Sequence, residues 1–119
     1  MLMNINIKGL HMNMTPAITD YIHTKLKHLE KFTNKNDYLY IECGRTSEHH
    51  KQGDTVYRAE ITLEQPKATH FAAVDTDDLY PAIDAVIDDI IGQVKTEKSK
   101  RISLLRRGHT LLKQMLRMN

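Results

Sequence analysis

Cysteine, tryptophan and long apolar runs are scarce or absent in this 119-residue sequence, and these absences exclude several classes of protein. Cys43 is the only cysteine, so the chain cannot form an internal disulfide or a CxxC redox or zinc motif. No run of about 18 apolar residues occurs, so we expect no membrane-spanning helix. The first residues, MLMNINIKGL, alternate in polarity, which argues against a signal peptide. We therefore expect a cytoplasmic protein.

The common sequence motifs of enzymes are also missing. The chain has no GxGxxG, Walker or GxSxG motif. His23 and His28 are separated by a spacing that suits no shared metal ligation on one helix, and His49 and His50 lie in a polar loop. Cys43 falls on the apolar side of a predicted strand, which favours a small core residue over a nucleophile. We expect no catalysis, metal, cofactor or small-molecule substrate.

The net charge of +2 hides an uneven distribution of charge along the chain. No acidic residue follows Glu97, and seven bases do: Lys98, Lys100, Arg101, Arg106, Arg107, Lys113 and Arg117. Of the 17 bases, 10 therefore remain in residues 1–97 against 15 acids, so that segment is net −5 and the tail is net +7. This excludes a uniformly basic nucleic-acid binder but allows a polarised one, because the attraction of a charged partner depends on where the charge lies.

Four segments alternate between apolar and polar residues, which is the pattern of half-buried strands. Their inward positions are Met3, Ile5 and Ile7; Leu39, Ile41 and Cys43; Tyr57, Ala59, Ile61 and Leu63; and Ala72 and Val74. Gly9 is expected to end the first strand. The segments TSEHHKQGD, residues 46–54, and QPK, residues 65–67, are predicted turns, so the last three strands should form an antiparallel meander.

Two amphipathic helices complete the predicted fold. The segment from Thr15 to Phe32 begins with the Thr-Pro pair of a helix start and places its apolar residues on one face. A second helix is predicted to begin at residues 76–78 and to bury Leu79, Ile83, Val86, Ile87, Ile90 and Val94. The order β-α-β-β-β-α predicts an α+β fold in which a four-stranded sheet carries both helices on one face. Residues 1–101 form the predicted domain, and residues 102–119 form a basic, leucine-rich tail that Gly108 interrupts.

Basic residues line one flank of each predicted helix. Lys27, Lys31 and Lys35 follow one another along the first helix, and Lys95 and Lys98 lead a second cluster at the far end of the other. A solvated face is the usual explanation for such lysines. Two basic strips on adjacent helices would, however, border a single groove, and phosphate backbones bind to strips of this kind. Side-by-side helices on a small sheet also suit A-form RNA, which proteins recognise largely by shape.

Four sequence segments give the chain a resemblance to a known family: MNINIKG, TPAITDYIHTKLKHLEKF, YRAEITLEQP and DDLYPAIDAVIDD. In this order and spacing, residues 3–101 resemble the ribosome hibernation promoting factor family, which includes the ribosome-associated inhibitor A and sigma-factor modulation proteins. The resemblance implies a fold similar to double-stranded RNA-binding domains. It also implies binding in the channel between the head and body of the small ribosomal subunit, where members silence idle ribosomes in stationary phase or stress. We expect a short form, without the extra dimerisation domain of long members.

The resemblance also assigns site residues by position. Lys25 matches a basic residue of the family's first helix, and His28 stands where lysine is usual. The family's basic run on the second helix is replaced at three positions, Asp89, Gly92 and Thr96. The complete set of predicted RNA-binding residues is Lys25, Lys27, His28, Lys31, Lys35, Lys95, Lys98, Lys100 and Arg101.

Two hypotheses for function follow. The first is a non-enzymatic translation inhibitor that occupies the decoding region of the small ribosomal subunit and contacts its ribosomal RNA. The alternative is a diverged paralogue that binds a protein partner through ISLLRRGHTLLKQMLRMN, residues 102–119, acting as an amphipathic docking helix. Left in water, the leucines of this tail would form an exposed apolar patch, so we expect a second copy of the chain or the ribosome to cover them.

Overall fold

The computed structural model describes residues 3–46 and 56–117, without the side chains of residues 101–105 and 109–117. Its elements in chain order are β1 (Asn4–Leu10), α1 (Pro16–Leu26), a 3₁₀ turn (Glu30–Phe32), β2 (Tyr38–Arg45), β3 (Tyr57–Gln65), β4 (Ala68–Thr76) and α2 (Leu79–Arg117). The predicted order β-α-β-β-β-α is confirmed. Apart from Thr46, the predicted turn TSEHHKQGD lies outside the described residues.

The four strands form one sheet in the order β1-β2-β3-β4. β1 runs parallel to β2, and α1 supplies the crossover that a parallel pair requires. β2, β3 and β4 pair antiparallel, as the predicted meander requires. The register places Leu39 opposite Leu63 and Ile41 opposite Ile61, so inward side chains of neighbouring strands form rows under the helices.

The core lies between the sheet and the two helices. All six predicted core residues of α2 are buried: Leu79, Ile83, Val86, Ile87, Ile90 and Val94. On β4, Ala72 is buried and Val74 is partly buried against the same core, which confirms the predicted inward side of that strand. Burial of these apolar side chains is the main source of the fold's stability.

Glycine is required at two positions where β1 meets its neighbours. β1 continues past Gly9 to Leu10, so the predicted strand end at Gly9 is wrong. The chain instead folds back over Gly9, where a Cβ atom would lie 2.0 Å from the carbonyl oxygen of Met12. Gly44 has a φ of +154°, and a Cβ there would lie 2.0 Å from the carbonyl oxygen of Leu10. Any larger residue at either position would force the backbone to move.

The helix starts agree closely with the sequence pattern. The Thr15 hydroxyl accepts a hydrogen bond from the Ile18 amide at 3.2 Å, as expected of an N-cap residue. α2 begins at Leu79, directly after its predicted start at residues 76–78. Pro81 lies in its first turn, where a missing N–H costs no helical hydrogen bond.

The first helix is shorter than predicted. Instead of continuing to Phe32, the α-helix ends at Leu26, and the backbone changes to i→i+3 hydrogen bonds. The Leu29 amide donates to the Leu26 carbonyl at 2.9 Å, and the Phe32 amide donates to the Leu29 carbonyl at 3.0 Å. With about three residues per turn, these three apolar side chains lie on the same side, which keeps Leu29 fully buried. The prediction of one continuous α-helix from Thr15 to Phe32 is therefore wrong, because apolar residues three apart favour a 3₁₀ turn after Leu26.

The second helix is long and extends beyond the core. Its 39 residues correspond to about 58 Å of helix, and Val94 is the last buried residue described along it. The helix passes through Gly92 and Gly108 without a break, so the predicted interruption at Gly108 is not found. The predicted boundary between domain and tail at residue 101 therefore lies within a continuous helix. Despite its length, no helix in the described part of the chain is apolar enough to cross a membrane.

Candidate functional site

The two helices run side by side in the same direction. Near the N-terminal end of α2, the ring of Tyr80 packs edge to face against the ring of Tyr21 on α1, with centroids 4.8 Å apart. Beyond the end of α1, Phe32 of the 3₁₀ turn lies beside Lys95 and Lys98 of α2. The helix pair therefore has two contact regions of different chemistry.

The first contact region, here called the tyrosine end, consists of Tyr21, Lys25, Tyr80 and Asp84. The Tyr21 hydroxyl donates a hydrogen bond of 2.6 Å to Asp84 Oδ1. Lys25 Nζ lies 3.5 Å from the same oxygen and 5.5 Å from the centroid of the Tyr21 ring. The hydrogen bond to Asp84, reinforced by burial, raises the pKa of Tyr21 to about 12. Lys25, a predicted RNA contact, is thus directed at a carboxylate of its own chain.

The second contact region, here called the Phe32 cluster, consists of Lys31, Phe32, Lys95 and Lys98. The three Nζ atoms lie 5.3 Å, 6.0 Å and 5.9 Å, respectively, from the centroid of the Phe32 ring. Each such cation–π contact contributes about 0.5–1 kcal/mol at an exposed site. Among the described residues, none of these ammonium groups has a carboxylate within 4.0 Å. Three positive charges therefore converge on one ring, with no ion-paired carboxylate among the described residues.

A groove of about 380 Å³ opens beside the Phe32 cluster, between the 3₁₀ turn, the β3–β4 turn and α2. Lys31 of the 3₁₀ turn and Lys98 of α2 both line it, so one base from each predicted basic strip borders this groove. Lys67 in the β3–β4 turn adds a base that the sequence analysis missed. Its signal was weak, because a lysine next to proline in a turn is typical of solvated loops.

Hydrogen bonds fix the floor of this groove. Buried Asp37 accepts from the Asn34 amide at 2.9 Å and from Gln65 Nε2 at 3.0 Å. Gln65 Nε2 also donates to the carbonyl of Phe32 at 2.9 Å. The end of β3 is thereby tied to the segment that carries the Phe32 ring. The sequence pattern gave no sign of this network, because it joins a predicted loop to a predicted turn.

The remaining predicted site residues of the first helical segment lie outside the groove. Lys27 and His28 are exposed in the turn that follows α1, and neither lines the groove. Lys35 is exposed in an adjoining concavity that it shares with Asn34 and Pro66. The early end of α1 explains this separation, because the predicted alignment of these bases assumed a continuous α-helix.

On the second helix, the predicted basic cluster divides between two sides. Lys95 and Lys98 belong to the Phe32 cluster, whereas Lys100 lines a different concavity together with Asp88 and Asp89. Residues two apart on an α-helix point in nearly opposite directions, so Lys98 and Lys100 cannot share a face. Arg101 is not among the residues whose side chains the structure describes.

The structure also bears on the residues considered for other chemistry. Cys43 is fully buried, and burial, with a smaller effect of Glu42, raises the pKa of its thiol to about 11. Its predicted place in the core is confirmed. Within residues 3–46 and 56–117, no group of three or more His, Cys, Asp and Glu residues is arranged to hold a metal ion. His49 and His50 lie outside the described residues.

Comparisons with known proteins point to one family. The family model described as Sigma 54 modulation protein / S30EA ribosomal protein matches residues 5–102. The ribosome hibernation promoting factor of Pseudomonas putida is 32% identical over 107 residues, covering 87% of this chain and 94% of the relative. The protein of the same name from Klebsiella oxytoca is 29% identical over 98 residues, covering 82% of this chain and 96% of the relative.

Solved structures give the same result for the fold. The N-terminal domain of Thermus thermophilus Protein Y is 28% identical with a TM-score of 0.66, covering 79% of this chain and 98% of that domain. A ribosomal subunit interface protein from Coxiella burnetii matches with a TM-score of 0.62 at 18% identity, covering 82% of this chain and 99% of that one. The second likeness concerns the fold alone. The predicted α+β fold and the predicted family resemblance are confirmed.

Proposed function

The chain belongs to the Sigma 54 modulation protein / S30EA ribosomal protein family, and we propose that it binds the small ribosomal subunit and silences idle ribosomes by occupying the decoding region. The observation that carries this proposal is the Phe32 cluster, with its three ammonium groups beside a groove. The names of the relatives, ribosome hibernation promoting factors, point to the same role. Action is by occupancy alone, without a catalytic step.

The ligand that best suits the Phe32 cluster is the phosphate backbone of ribosomal RNA. Lysine ammonium groups form charge-assisted hydrogen bonds with phosphate oxygens, and binding releases the counterions condensed on the RNA. Lys31 and Lys98 both line the groove, and Lys67 extends the basic lining to the β3–β4 turn. A phosphate chain along this groove would also remove the mutual repulsion of the clustered lysines.

The surrounding structure favours a single orientation on the RNA. Residues 1–97 carry a net charge of −5, so a polyanion is attracted to the Phe32 cluster and repelled by much of the remaining body. Two parallel helices on a small sheet match the shape of A-form RNA, whose recognition depends on backbone contacts more than on base sequence. We therefore expect binding with little dependence on base sequence.

Cosedimentation of the full chain with purified small ribosomal subunits tests this proposal. Lys31→Ala, Lys95→Ala and Lys98→Ala should each weaken binding, and the triple variant should lose it at moderate salt. Lys100→Ala is the matched control, because it removes the same charge from the same helix but lies outside the groove. An equal loss from Lys100→Ala, or no loss from the triple variant, would contradict the assignment of the groove.

The salt dependence of the same binding identifies the ligand as a phosphate backbone. Log affinity should fall linearly with log salt, with a slope of about −0.7 to −0.9 for each phosphate neutralised. Each of the three lysine-to-alanine variants should make this slope less negative by about 0.7 to 0.9, because one phosphate contact is lost. A response to salt that is flat for the native chain would point to a protein contact instead.

A further inference from the structure

The face of the sheet opposite the helices carries a row of exposed aromatic residues. Strand alternation places Tyr38, Tyr40 and Phe71 on this open face, where they are 49%, 43% and 53% exposed. The register sets Tyr40 opposite Thr62 and Thr62 opposite Phe71, so two of the rings lie in one row across the sheet. Exposed aromatic residues that cluster in this way are typical of an interaction surface.

The charges on the open face exclude a polyanion as its partner. Alternation places six charged residues there, four acids and two bases: Glu42, Glu60, Glu64, Asp75, Lys8 and Arg58. Arg58 is bonded to Glu60 at 2.8 Å and to Asp75 at 3.0 Å, and Lys8 Nζ lies 4.0 Å from Glu42. Both bases are thus neutralised within the face, which keeps a net charge of −2. A ligand for this surface should be apolar at its centre and basic at its edges.

The last part of α2 has this chemistry. At about 100° per residue, the sequence places six of its apolar residues within an arc of about 140° and Ile102 about 40° outside it. The six are Leu104, Leu105, Leu111, Leu112, Met115 and Leu116. Arg107 borders this arc on one side and Lys113 lies beyond the other. No acidic residue follows Glu97, so nothing in this segment repels the acids of the open face.

The segment cannot reach the open face of its own chain. α2 packs on the opposite face of the sheet and continues to Arg117 without a break. An unbroken helix cannot turn around the sheet edge, so the tail must be supplied by a second copy. When each copy gives its tail to the other about a two-fold axis, both apolar segments and both open faces are covered.

We propose that the open face is the docking site for residues 102–117 of a second copy, and that two chains exchange their tails in a closed dimer. Tyr40 and Phe71 form the apolar centre of the contact. Glu42, Glu60 and Glu64 lie around it, and the net charge of −2 on this face attracts the bases that flank the leucine arc. This contact is separate from the Phe32 cluster and does not depend on the function proposed for that cluster.

Light scattering and sedimentation velocity on the full chain test the proposal. The native chain should form a dimer. The sheet variant, Tyr40→Ser with Phe71→Ser, changes exposed residues and should keep the native circular dichroism spectrum but lose the dimer. The tail variant, Leu112→Ser with Leu116→Ser, should lose it as well. Mixing the two variants should restore a weaker heterodimer, because the intact tail of one fits the intact face of the other.

Three results would overturn this proposal. They are a native chain that stays monomeric, a folded sheet variant that dimerises like the native chain, and a mixture that does not restore association. The second and third results are expected if the tails pair with each other or bind elsewhere. A Lys31→Ala, Lys98→Ala variant should dimerise normally, so loss of ribosome binding by that variant leaves this test unaffected. A sheet variant that dimerises but binds ribosomes poorly would assign the open face to the ribosome instead.

Discussion

The tyrosine end joins α1 to α2, and the Phe32 cluster joins the following 3₁₀ turn to α2; both bring lysine beside an aromatic ring, yet they differ in charge balance. Lys25 lies 5.5 Å from the Tyr21 ring centroid and 3.5 Å from a carboxylate of Asp84. Lys98 lies 5.9 Å from the Phe32 ring centroid and has no carboxylate partner among the described residues. The two lysines therefore differ in their surroundings. Lys25 joins α1 to α2 through Asp84, whereas Lys98 has no such partner among the described residues.

The hydroxyl of tyrosine helps to explain this difference. Tyr21 donates to Asp84, and that hydrogen bond holds the carboxylate where Lys25 can also reach it. Phe32 has no hydroxyl, so its ring can hold ammonium groups through its π face but cannot fix a carboxylate. The lysine of the tyrosine end is consequently paired within the chain, whereas the lysines of the Phe32 cluster have no carboxylate partner among the described residues.

The largest effect is expected from placing a carboxylate in the Phe32 cluster. Lys98→Glu should lower affinity for small ribosomal subunits by more than about tenfold, which corresponds to ~1.4 kcal/mol. The substitution removes one phosphate contact and adds a carboxylate that repels phosphate. The same carboxylate would also pair with Lys31 and Lys95. Because Lys98 is exposed, the melting temperature should change little. Titration by cosedimentation measures the affinity, with Lys100→Glu as the control. If both variants lose the same affinity, the two sides of α2 do not differ in binding.

The next largest effect concerns the tyrosine end. Asp84→Asn removes the charged acceptor shared by Tyr21 and Lys25, and should lower the free energy of unfolding by about 1 kcal/mol. Ribosome affinity should change far less than in Lys98→Glu. Chemical denaturation measures the stability, and Asp88→Asn, an exposed acid on the same helix, is the control. If the two variants are equally stable, the contacts of Asp84 do not hold the helices together.

The same variant has a second, spectroscopic consequence. Without the Asp84 carboxylate, the pKa of Tyr21 should fall from about 12 towards the usual value of 10.0. Since folding raises this pKa, the associated stability is complete below about pH 10 and is lost as the pH rises to about 12. Phenol absorbance as a function of pH should therefore show one additional tyrosine titrating near the usual value in Asp84→Asn. An unchanged titration curve would contradict the assigned hydrogen bond.

The sequence predicted some features of the fold and of the two contact regions but not others. Alternation and helical periodicity identified the inward residues, such as Leu39 and Ile61 on the strands, because one buried face requires that pattern. The end of α1 at Leu26 was not predicted, because helical periodicity was extended to Phe32 through residues whose apolar spacing of three favours a 3₁₀ turn. The pairing of Lys25 with Asp84 was also missed, because it depends on the relative positions of two helices, which periodicity does not specify.

A smaller effect is expected from the two glycines of α2, which belong to neither contact region. Neither Gly92 nor Gly108 would bring a Cβ atom within 4 Å of another group, so alanine fits at both positions. Gly92→Ala should raise the free energy of unfolding by up to about 1 kcal/mol through helix propensity. Gly108→Ala lies beyond Val94, the last buried residue described, and should leave the unfolding midpoint unchanged. Thermal denaturation distinguishes the two variants, and an equal gain from Gly108→Ala would show that the tail unfolds together with the core.

The smallest effect is expected from His28, which is exposed in the turn after α1 and does not line the groove. His28→Lys adds the base that the family resemblance leads us to expect at this position, but an exposed base outside the groove acts only through long-range attraction that salt screens. We expect a gain in ribosome affinity of at most about threefold at low salt, and almost none at moderate salt. His11→Lys, another exposed histidine, is the control for the added charge alone. A gain from His28→Lys that persists at moderate salt, and that matches in size the loss from Lys98→Ala, would place this turn in contact with the RNA and extend the binding surface beyond the Phe32 cluster.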